Sequence, residues 1–413
     1  MPVMTMFTGS YCNEEPVVQE TISITGYRLA RDEDVIARAS QTSGMGESKL
    51  AKAFSARTSV FNKFTHEKER SIAHMRLALA DILLEDNFLI RGFTAHLVPR
   101  EVSHALRVCI IADMSYRVSL ALQEHPLSEK EALKRIRKDD EDRALWVRSL
   151  AGRDDPWDPS LYDIVVPMDK KNPREAAFLM AKSVAAEALR VTPESEATVR
   201  DFLVAARVEV ALAEEGHHVG VNARNGHAIL TINKHVLMLS RLEDELRSVA
   251  ERVPGVTSVE TKVGKDFYQP DVYRKFDFEL PSKVLLVDDE REFVQALSER
   301  LQMRDMGSAV AYDGESALNM VSEDEPEVMI LDLKMPGIDG IEVLRRVKAT
   351  RPEIEVIILT GHGSDADRET CMRLGAFAYL QKPVDIDVLS DTLKKANEKI
   401  RLTKESAKRQ GKG

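Results

Sequence analysis

This sequence has few cysteines, no excess of basic charge and no long apolar run, and each of these features argues against a class of protein. The three cysteines, Cys12, Cys109 and Cys371, lie far apart, which argues against a disulfide framework or a zinc site and fits a reducing cytoplasm. No segment approaches the roughly 18 consecutive apolar residues of a membrane-spanning helix, and the first residues lack the basic start and apolar core of a secretory signal. We therefore expect a cytoplasmic protein with no membrane insertion.

The charge balance is acidic. Lys and Arg number 58 against 68 Asp and Glu, which gives a net charge of −10. A chain-wide basic field for holding nucleic acid is absent, so we expect no nucleic-acid partner, although a local basic patch stays open. The 43% hydrophobic and 31% charged content is typical of folded, water-soluble domains. At roughly 100–200 residues per domain, the 413 residues predict two to four domains.

The last third of the chain has the clearest pattern. Between residues 282 and 400, short apolar runs alternate with amphipathic helical stretches, which predicts a doubly wound α/β domain with a five-stranded parallel sheet. The predicted strands are Val284–Val287, Ala309–Ala311, Val328–Leu331, Val356–Leu359 and Ala376–Leu380. Residues 265–281 are polar and proline-containing, which predicts a linker. The basic residues 401–413 predict a flexible tail.

Polar side chains follow these predicted strands. Asp288 and Asp289 follow the first strand, Asp332 the third, Thr360 the fourth and Lys382 the fifth. The carboxyl ends of parallel strands meet at one edge of a sheet, where ligands bind. Crowded carboxylates repel one another and need a cation, and oxygen ligands suit Mg²⁺. Each residue alone is often a helix cap or a turn, but their joint placement predicts a magnesium and phosphoryl site.

This domain resembles a response-regulator receiver, with a flavodoxin-like fold. The stretches that carry the resemblance are Val284-Leu-Leu-Val-Asp-Asp-Glu290, Ile330-Leu-Asp-Leu-Lys-Met-Pro-Gly-Ile-Asp-Gly340, Ile358-Leu-Thr-Gly-His-Gly363 and Tyr379-Leu-Gln-Lys-Pro383. The resemblance implies a phosphoryl group on Asp332, received from a sensor histidine kinase or a phosphotransfer protein. The switched surface of the receiver is a candidate contact for the upstream domains or for the second copy of a homodimer.

The same resemblance implies roles for the remaining site residues. Asp288, Asp289, Asp332 and the carbonyl of Lys334 are expected to hold Mg²⁺. Thr360 and Lys382 are expected to bind the phosphoryl oxygens, and Tyr379 to turn inward when Thr360 moves. The Lys382–Pro383 peptide bond is expected to be cis, which proline tolerates better than other residues.

A small α-β-β-α-β block precedes the linker. Asn225-Gly226 between two alternating runs is a strong hairpin signal, and helical patterns flank the hairpin. Residues 193–264 resemble a BON domain, through this hairpin and the turn Val253-Pro-Gly-Val-Thr-Ser-Val259. Such modules are proposed to bind lipid or partner proteins, and the ligand of this block stays open.

Residues 1–190 predict a further α/β domain. They resemble the cytidylate-kinase-like family of P-loop proteins through short segments that correspond to core strands and a lid. These segments are Phe88-Leu-Ile-Arg-Gly-Phe-Thr94, Val108-Cys-Ile-Ile-Ala-Asp-Met-Ser-Tyr-Arg117, Leu127–Arg143 and Asp158-Pro-Ser-Leu-Tyr-Asp163. The resemblance implies a P-loop-kinase fold.

The phosphate-binding loop of that family is missing from its expected place. A phosphate cradle needs glycines whose backbone N–H groups approach the anion, but Phe7–Pro16 has one glycine, the carboxylates Glu14 and Glu15, and a proline without a donor. Ser43–Lys49 superficially resembles such a loop but follows a helical pattern, which predicts a helix–helix turn. Four arginines remain candidates for anion binding or for a solvated face: Arg91, Arg117, Arg137 and Arg143.

The sequence thus predicts a two-component response regulator that accepts a phosphoryl group on Asp332 and switches a non-DNA-binding output formed by the N-terminal domains. The alternative is an active nucleoside monophosphate kinase regulated by the receiver. The degenerate loop favours the first hypothesis. The cognate kinase, the output partner, nucleotide binding and the oligomeric state stay open.

Overall fold

The computed structural model describes the chain except residues 1, 56–58, 86, 237, 266, 268–279, 282, 305, 362 and 411–413. The chain forms two compact units. We call Met1–Thr58 with Lys68–Tyr273 the N-terminal unit, and Ser59–Glu67 with Arg274–Gly413 the C-terminal unit. Most of the predicted linker at 265–281 lies outside the described residues.

The N-terminal unit is built on a parallel five-stranded sheet of order β2-β3-β1-β4-β5. Its strands are β1 Val3–Thr8, β2 Arg28–Arg31, β3 Phe88–Arg91, β4 Ala105–Ile111 and β5 Ile164–Pro167. Side chains alternate between the two faces of a strand, so Val3 and Phe7 enter one core and Met4 and Met6 the other. The predicted α/β fold is confirmed here, while β2 was missed.

Helices cover both faces of this sheet. Within Ser43–Lys49, residues 44–46 connect two helices, as predicted. The helix Glu129–Ala151 begins with a capping box in which Ser128 and Glu131 satisfy each other's backbone donors. The helices of the chain up to residue 184 are α1 Glu14–Thr25, α2 Asp32–Ser43, α3 Glu47–Ala51, α4 Asn62–Thr65, α5 Glu67–Leu83, α6 Met114–Glu124, α7 Glu129–Ala151 and α8 Pro173–Val184. Of these, α4 belongs to the C-terminal unit.

The small block has the predicted α-β-β-α-β order. It consists of α9 Pro193–Glu214, β6 Gly220–Arg224, β7 His227–Ile232, α10 Leu239–Ala250 and β8 Ser258–Val263. The hairpin turn has φ of 50° at Asn225 and 78° at Gly226, the left-handed pair that a tight hairpin requires. Strand β7 pairs antiparallel with β6 and parallel with β8.

Helix α9 connects two cores, so the predicted boundary near residue 190 does not separate independent domains. Its first half contributes Val199 and Phe202 to the core against the five-stranded sheet. Its second half contributes Val208 and Leu212 to the core of the small sheet. One amphipathic helix with apolar residues along its whole length therefore joins both blocks in one compact unit.

The C-terminal unit contains a second parallel sheet, of order β10-β9-β11-β12-β13. This confirms the predicted doubly wound domain. Its strands are β9 Val284–Val287, β10 Ser308–Ala311, β11 Val328–Leu331, β12 Glu355–Thr360 and β13 Ala378–Gln381. Its helices are α11 Arg291–Gln302, α12 Gly314–Glu323, α13 Gly340–Thr350, α14 Asp365–Arg373 and α15 Ile386–Gln410.

The prediction of a flexible tail at 401–413 was wrong for residues 401–410, because α15 continues through them. Lys, Arg, Glu and Ala are strong helix formers, and they extend a helix that is already anchored in the core by Leu389 and Leu393. Lys404 also forms an ion pair of 3.1 Å with Glu327. A basic composition is therefore not enough to predict that the end of this helix is frayed.

A short segment early in the chain belongs to the C-terminal unit. Phe61 is 0% exposed and is a member of the core cluster that contains Leu285, Val321 and Met329. The assignment of all residues 1–190 to one domain was therefore wrong for 59–67. An aromatic side chain of this size buries enough apolar surface to hold its segment in place.

Polar contacts surround this aromatic anchor. Lys283 Nζ lies 2.8 Å from a carboxylate oxygen of Glu67 and 3.3 Å from one of Asp324. The same ammonium group stands 5.9 Å from the centre of the Phe61 ring. The hydroxyl of Ser59 donates a hydrogen bond to Asp324. Ser59–Glu67 is thus an integral part of the C-terminal unit.

Candidate functional site

The sheet of the C-terminal unit brings the predicted acidic residues together. Strands β9 and β11 are neighbours in register, with Val287 opposite Leu331, so the residues that follow them emerge side by side. Carboxylate oxygens of Asp288, Asp289 and Asp332 all lie within 4.8 Å of one another. The convergence at one sheet edge is therefore as predicted.

Asp332, like Asp288, is a buried member of this cluster. It is 5% exposed, and its Oδ1 finds no hydrogen-bond partner among the described residues. A buried oxygen without a donor is costly in free energy. The backbone at Asp332 is also crowded, because a Cβ at Gly340 would overlap its carbonyl oxygen. Gly340 therefore lets the loop after β11 close tightly behind Asp332.

Lys382 follows β13 and supplies a positive charge to the site. Its Nζ lies 2.7 Å from Asp288 and 2.9 Å from Glu290, and 4.4 Å from the centre of the Phe293 ring. Burial lowers the pKa of Lys382, but hydrogen bonds to the two carboxylates outweigh burial and leave the pKa raised. Glu290 was not predicted as a site residue, although its position directly after Asp288-Asp289 was the available signal.

Burial raises the pKa of Asp288, whereas it lowers that of a lysine. For Asp288 this effect of burial exceeds the lowering effect of the Lys382 hydrogen bond. Asp289, in contrast, is exposed. Among the described side chains, one lysine, Lys382, therefore pairs with this cluster of carboxylates.

Thr360 and Tyr379 lie beside this cluster. Thr360 ends β12 and is 0% exposed. Tyr379 points inward, since its hydroxyl is buried without a partner among the described residues and occupies the space that a Cβ at Gly363 would take. Burial raises the pKa of Tyr379. Lys334 is exposed in the loop after Asp332, and the Lys382–Pro383 bond is cis, as the resemblance implied.

These residues fit a divalent cation. Three carboxylates meet, a buried oxygen of Asp332 has no donor among the described residues, and oxygen ligands are those that Mg²⁺ prefers. Asp288, Asp289, Asp332 and the carbonyl of Lys334 would hold it.

The loop after β1 in the N-terminal unit is filled by protein atoms. A Cβ at Gly9 would stand 2.6 Å from Ile111 and 2.9 Å from the sulfur of Cys12. Tyr11 and Asn13 adopt left-handed φ angles of 58° and 56°, which glycine would adopt at lower cost. At Gly9, the one glycine of this loop, side chains of Ile111 and Cys12 therefore take the space that an anion would need beside the backbone.

The helix N-terminus behind the loop is occupied as well. Glu14 and Glu15 occupy the first turn of α1, where positive helix-dipole charge would attract a phosphate. Arg91 forms ion pairs with both carboxylates. The carboxylates of Glu14 and Glu15 therefore lie where a phosphate would bind at this helix end, and they also pair with Arg91, the first candidate arginine.

The three remaining candidate arginines do not form an open anion site. The guanidinium of Arg117 makes two hydrogen bonds to Asp140, at 2.7 and 2.9 Å, and one to the carbonyl of Ser10 at 2.8 Å. Arg143 donates to the carbonyls of Thr8 and Asp139, and Arg137 is exposed. Asp140 was not predicted as the partner of Arg117, because the many charged residues of α7 indicate a solvent-exposed helix face.

The fold of the C-terminal unit and its acidic edge define a receiver domain, and comparison with known proteins agrees. The response regulator receiver domain family matches residues 284–394. Sporulation initiation phosphotransferase F of Bacillus subtilis is 37% identical over 113 residues, which are 27% of this chain and 91% of that protein. The chain therefore belongs to the response regulator family.

Other relatives match a similar share of the chain. The C4-dicarboxylate transport transcriptional regulatory protein DctD of Pseudomonas aeruginosa is 36% identical over 129 residues, 31% of this chain and 28% of that protein. The chain thus spans less than a third of this relative's length. A solved receiver domain protein from Clostridium thermocellum has 34% identity, covers 29% of this chain and 98% of its own, and has a TM-score of 0.29.

The N-terminal unit has a different relationship. The cytidylate kinase-like family matches residues 25–170, so the N-terminal unit contains a cytidylate kinase-like domain. The match begins after β1 and the filled loop that follows it. Within the described part of the chain, none of the helices has the length and apolarity to cross a bilayer.

Proposed function

We propose that the protein is a two-component response regulator that is phosphorylated on Asp332 and controls a non-catalytic N-terminal output. The observation that carries the proposal is the buried, unpartnered Oδ1 of Asp332 inside a cluster of three carboxylates. An oxygen left without a donor at a sheet edge is available both to a cation and to a reacting phosphorus.

In the proposed reaction, an oxygen of Asp332 attacks the phosphorus of a phosphohistidine on a partner histidine kinase or phosphotransfer protein. An O–P bond forms, the P–N bond breaks, and the partner's imidazole keeps the electron pair and takes a proton. Mg²⁺, when bound, neutralises charge on the transferring oxygens. Lys382 then exchanges its ion pairs with Asp288 and Glu290 for the phosphoryl oxygens, because these carry the greater local negative charge.

Phosphorylation adds about −1.5 to −2 charges beside Thr360 and Lys382. The Thr360 hydroxyl is drawn to the new oxygens. The expected inward turn of Tyr379 is not required, because its ring already points inward, and the movement of Thr360 gives the ring more room there. The surface around α14, β13 and α15 is the one that changes, and it is the surface we propose for a dimer mate or for the output.

We propose that the cytidylate kinase-like domain does not transfer phosphoryl groups. Catalysis of that reaction depends on positioning and on electrostatic stabilisation of the phosphates. Here Glu14 and Glu15 occupy the helix end, and Asp140 neutralises Arg117. The output is then a binding module without nucleic-acid contacts, to which the BON-like block at 193–264 contributes.

Acetyl phosphate with Mg²⁺ tests the first part of the proposal. Intact-mass measurement should show one added phosphoryl group on the full chain, and Asp332→Asn should show none, while Asp339→Asn, whose side chain caps α13, keeps it. Undiminished phosphorylation of Asp332→Asn would refute the assignment. Turnover of ATP with CMP, UMP or AMP by the Asp332→Asn chain, lost on Arg143→Ala, would refute the non-catalytic output.

A further inference from the structure

A cavity of about 1110 Å³ opens in the N-terminal unit. Residues of β1, β4, α9 and β6 line it, among them Phe7, Tyr162 and Phe202. Ligand sites commonly have volumes of roughly 300–1,000 Å³, apolar walls and a few polar groups. The cavity lies on the face of the sheet, and the filled loop that follows β1 does not line it, so it is separate from the degenerate phosphate loop.

An arginine stands on the core-facing side of β4. Arg107 is opposite Thr5 of β1 in register and shares its face with Ala105, which is buried in the core. Arginine is rarely placed there unless an anion pairs with it. Its guanidinium donates to the carbonyls of Ala105, at 3.0 Å, and Pro99. Within the described residues it forms no salt bridge.

The surroundings of this charge are unfavourable to a lone cation. Burial lowers the pKa of Arg107, the charges of Asp163 and Glu101 raise it, and Arg100 lowers it further. The Asp163 carboxylate accepts a hydrogen bond of 2.7 Å from the backbone N–H of Arg107. Arginine nevertheless keeps its proton in proteins. The guanidinium of Arg107 is therefore a partly desolvated positive charge that donates to neutral carbonyls.

Further positive groups face the cavity. Arg100 donates to the carbonyl of Ser160 at 2.8 Å, and Arg224 lines the wall from β6. Neither forms a salt bridge within the described part of the chain. Two other lining arginines do have acidic partners, Arg76 with Glu209 at 3.1 Å and Arg153 with Asp158 at 3.8 Å.

Acidic side chains are present but in the minority. Glu101, Glu194 and Asp201 line the cavity against five arginines. His96 lies near these positive charges. Its burial first, and then the charges of Arg100 and Arg107, lower its pKa to about 4. The ring of His96 is neutral and lies 3.2 Å from the hydroxyl of Tyr162.

We propose that this cavity binds a small organic phosphate with an apolar body. Arg107 and Arg100 hold the phosphate oxygens, since guanidinium groups match phosphate geometry with two parallel hydrogen bonds. Phe7 and Phe202 contact the apolar body. The site is independent of the phosphorylation of Asp332.

Phenyl phosphate is a suitable probe, with phenol and inorganic phosphate as its two halves. In calorimetric titration of the full chain in EDTA, which keeps metal from the receiver, phenyl phosphate should bind at least about tenfold more tightly than either half. Arg107→Met should weaken binding by about tenfold or more. Arg148→Met, a matched change at an exposed arginine paired with Asp154, and Asp332→Asn should bind as the native chain does.

Histidine NMR gives a second, independent measurement. A bound dianion beside Arg100 and Arg107 should raise the pKa of His96, and His96→Gln should identify its signal by removing it. Arg107→Lys, which keeps the charge but not the paired hydrogen bonds, replaces the methionine variant if that variant fails to fold and should also lose affinity.

Four results would overturn the proposal. These are no saturable binding of phenyl phosphate at millimolar concentration, undiminished binding in Arg107→Met or Arg107→Lys, equal binding of phenol, which indicates an apolar cavity only, and equal binding of inorganic phosphate, which indicates an adventitious ion only.

Discussion

The Nζ of Lys382 lies 2.7 Å from a carboxylate oxygen of Asp288, one of the three acids at the receiver's edge. The lysine thus neutralises part of the negative charge that a bound cation would neutralise. Because both compete for the same oxygens, the ion pair and the cation oppose each other. In the proposed phosphoryl transfer, the new phosphoryl oxygens would offer Lys382 another partner and leave Asp288 to the cation.

Removing this lysine should separate cation binding from phosphorylation. Lys382→Met should raise Mg²⁺ affinity by roughly fivefold, because about 1 kcal/mol of repulsion between nearby cations disappears. The rate of phosphorylation by acetyl phosphate should fall in the same variant. Calorimetry and intact-mass time courses measure the two effects. Lys404→Met, which removes a lysine paired with Glu327, is the control, and parallel changes in both quantities for Lys382→Met would contradict the expectation.

The pH dependence of Mg²⁺ binding should report on Asp288. Its pKa is raised by burial, and the cation needs the ionised carboxylate. On acidification, Mg²⁺ affinity should therefore begin to fall at a higher pH than that of an ordinary aspartate, whose pKa is about 3.9. Titrations across pH 4–7 check this. Asp288→Asn should bind more weakly and lose the higher transition, and an unchanged pH profile in that variant would assign the proton elsewhere.

Gly363 should control the inward position of Tyr379. A methyl group there would take the place of the tyrosine hydroxyl, so Gly363→Ala should expel the ring and bring the raised pKa of Tyr379 back toward its ordinary value near 10. Ultraviolet difference titration measures this, with Tyr379→Phe to assign the signal. Gly361→Ala is a matched control, because its nearest neighbour would be 3.9 Å away. If both alanine variants titrate alike, the packing argument fails.

Phe61 should stabilise the C-terminal unit. Phe61→Ala should cost about 3–5 kcal/mol of local stability, as is usual for a buried phenylalanine, and should speed hydrogen exchange in β9 and α12. Val60→Ala offers a control one residue away, at a side chain that is 46% exposed, and should change stability by less than about 0.5 kcal/mol. Equal exchange in the two variants would show that Phe61 is not an anchor.

The receiver was predictable because its information is local. Each strand is an uninterrupted apolar run such as Val284–Val287, and each functional residue stands directly after one. A parallel sheet then determines which side chains meet. In the N-terminal unit, the segments Phe88–Thr94 and Val108–Arg117 correctly indicated β3 and β4. Strand β2 was missed, because its Arg-Leu-Ala-Arg sequence has too few apolar residues to be recognised.

The features that were missed depend on distant partners. Phe61 stands in a polar stretch whose packing partners begin more than two hundred residues later, and Asp140 appears as one charge among many on α7. Arg107 falls within an apolar strand pattern, and only the register with Thr5 shows that it faces the cavity. Side-chain pairing across a fold is not encoded in local spacing.

The packing of Ser59–Glu67 in the C-terminal unit also affects biosynthesis. Ser59 and its partner Asp324 are separated by 265 residues, and ribosomes add about 5–20 residues per second. Phe61 therefore emerges roughly 10–50 s before the helix it packs near. During that interval the nascent chain presents an uncovered aromatic side chain, a feature that chaperones bind. Final maturation of the receiver thus waits for the last third of the polypeptide to capture a segment made near its beginning.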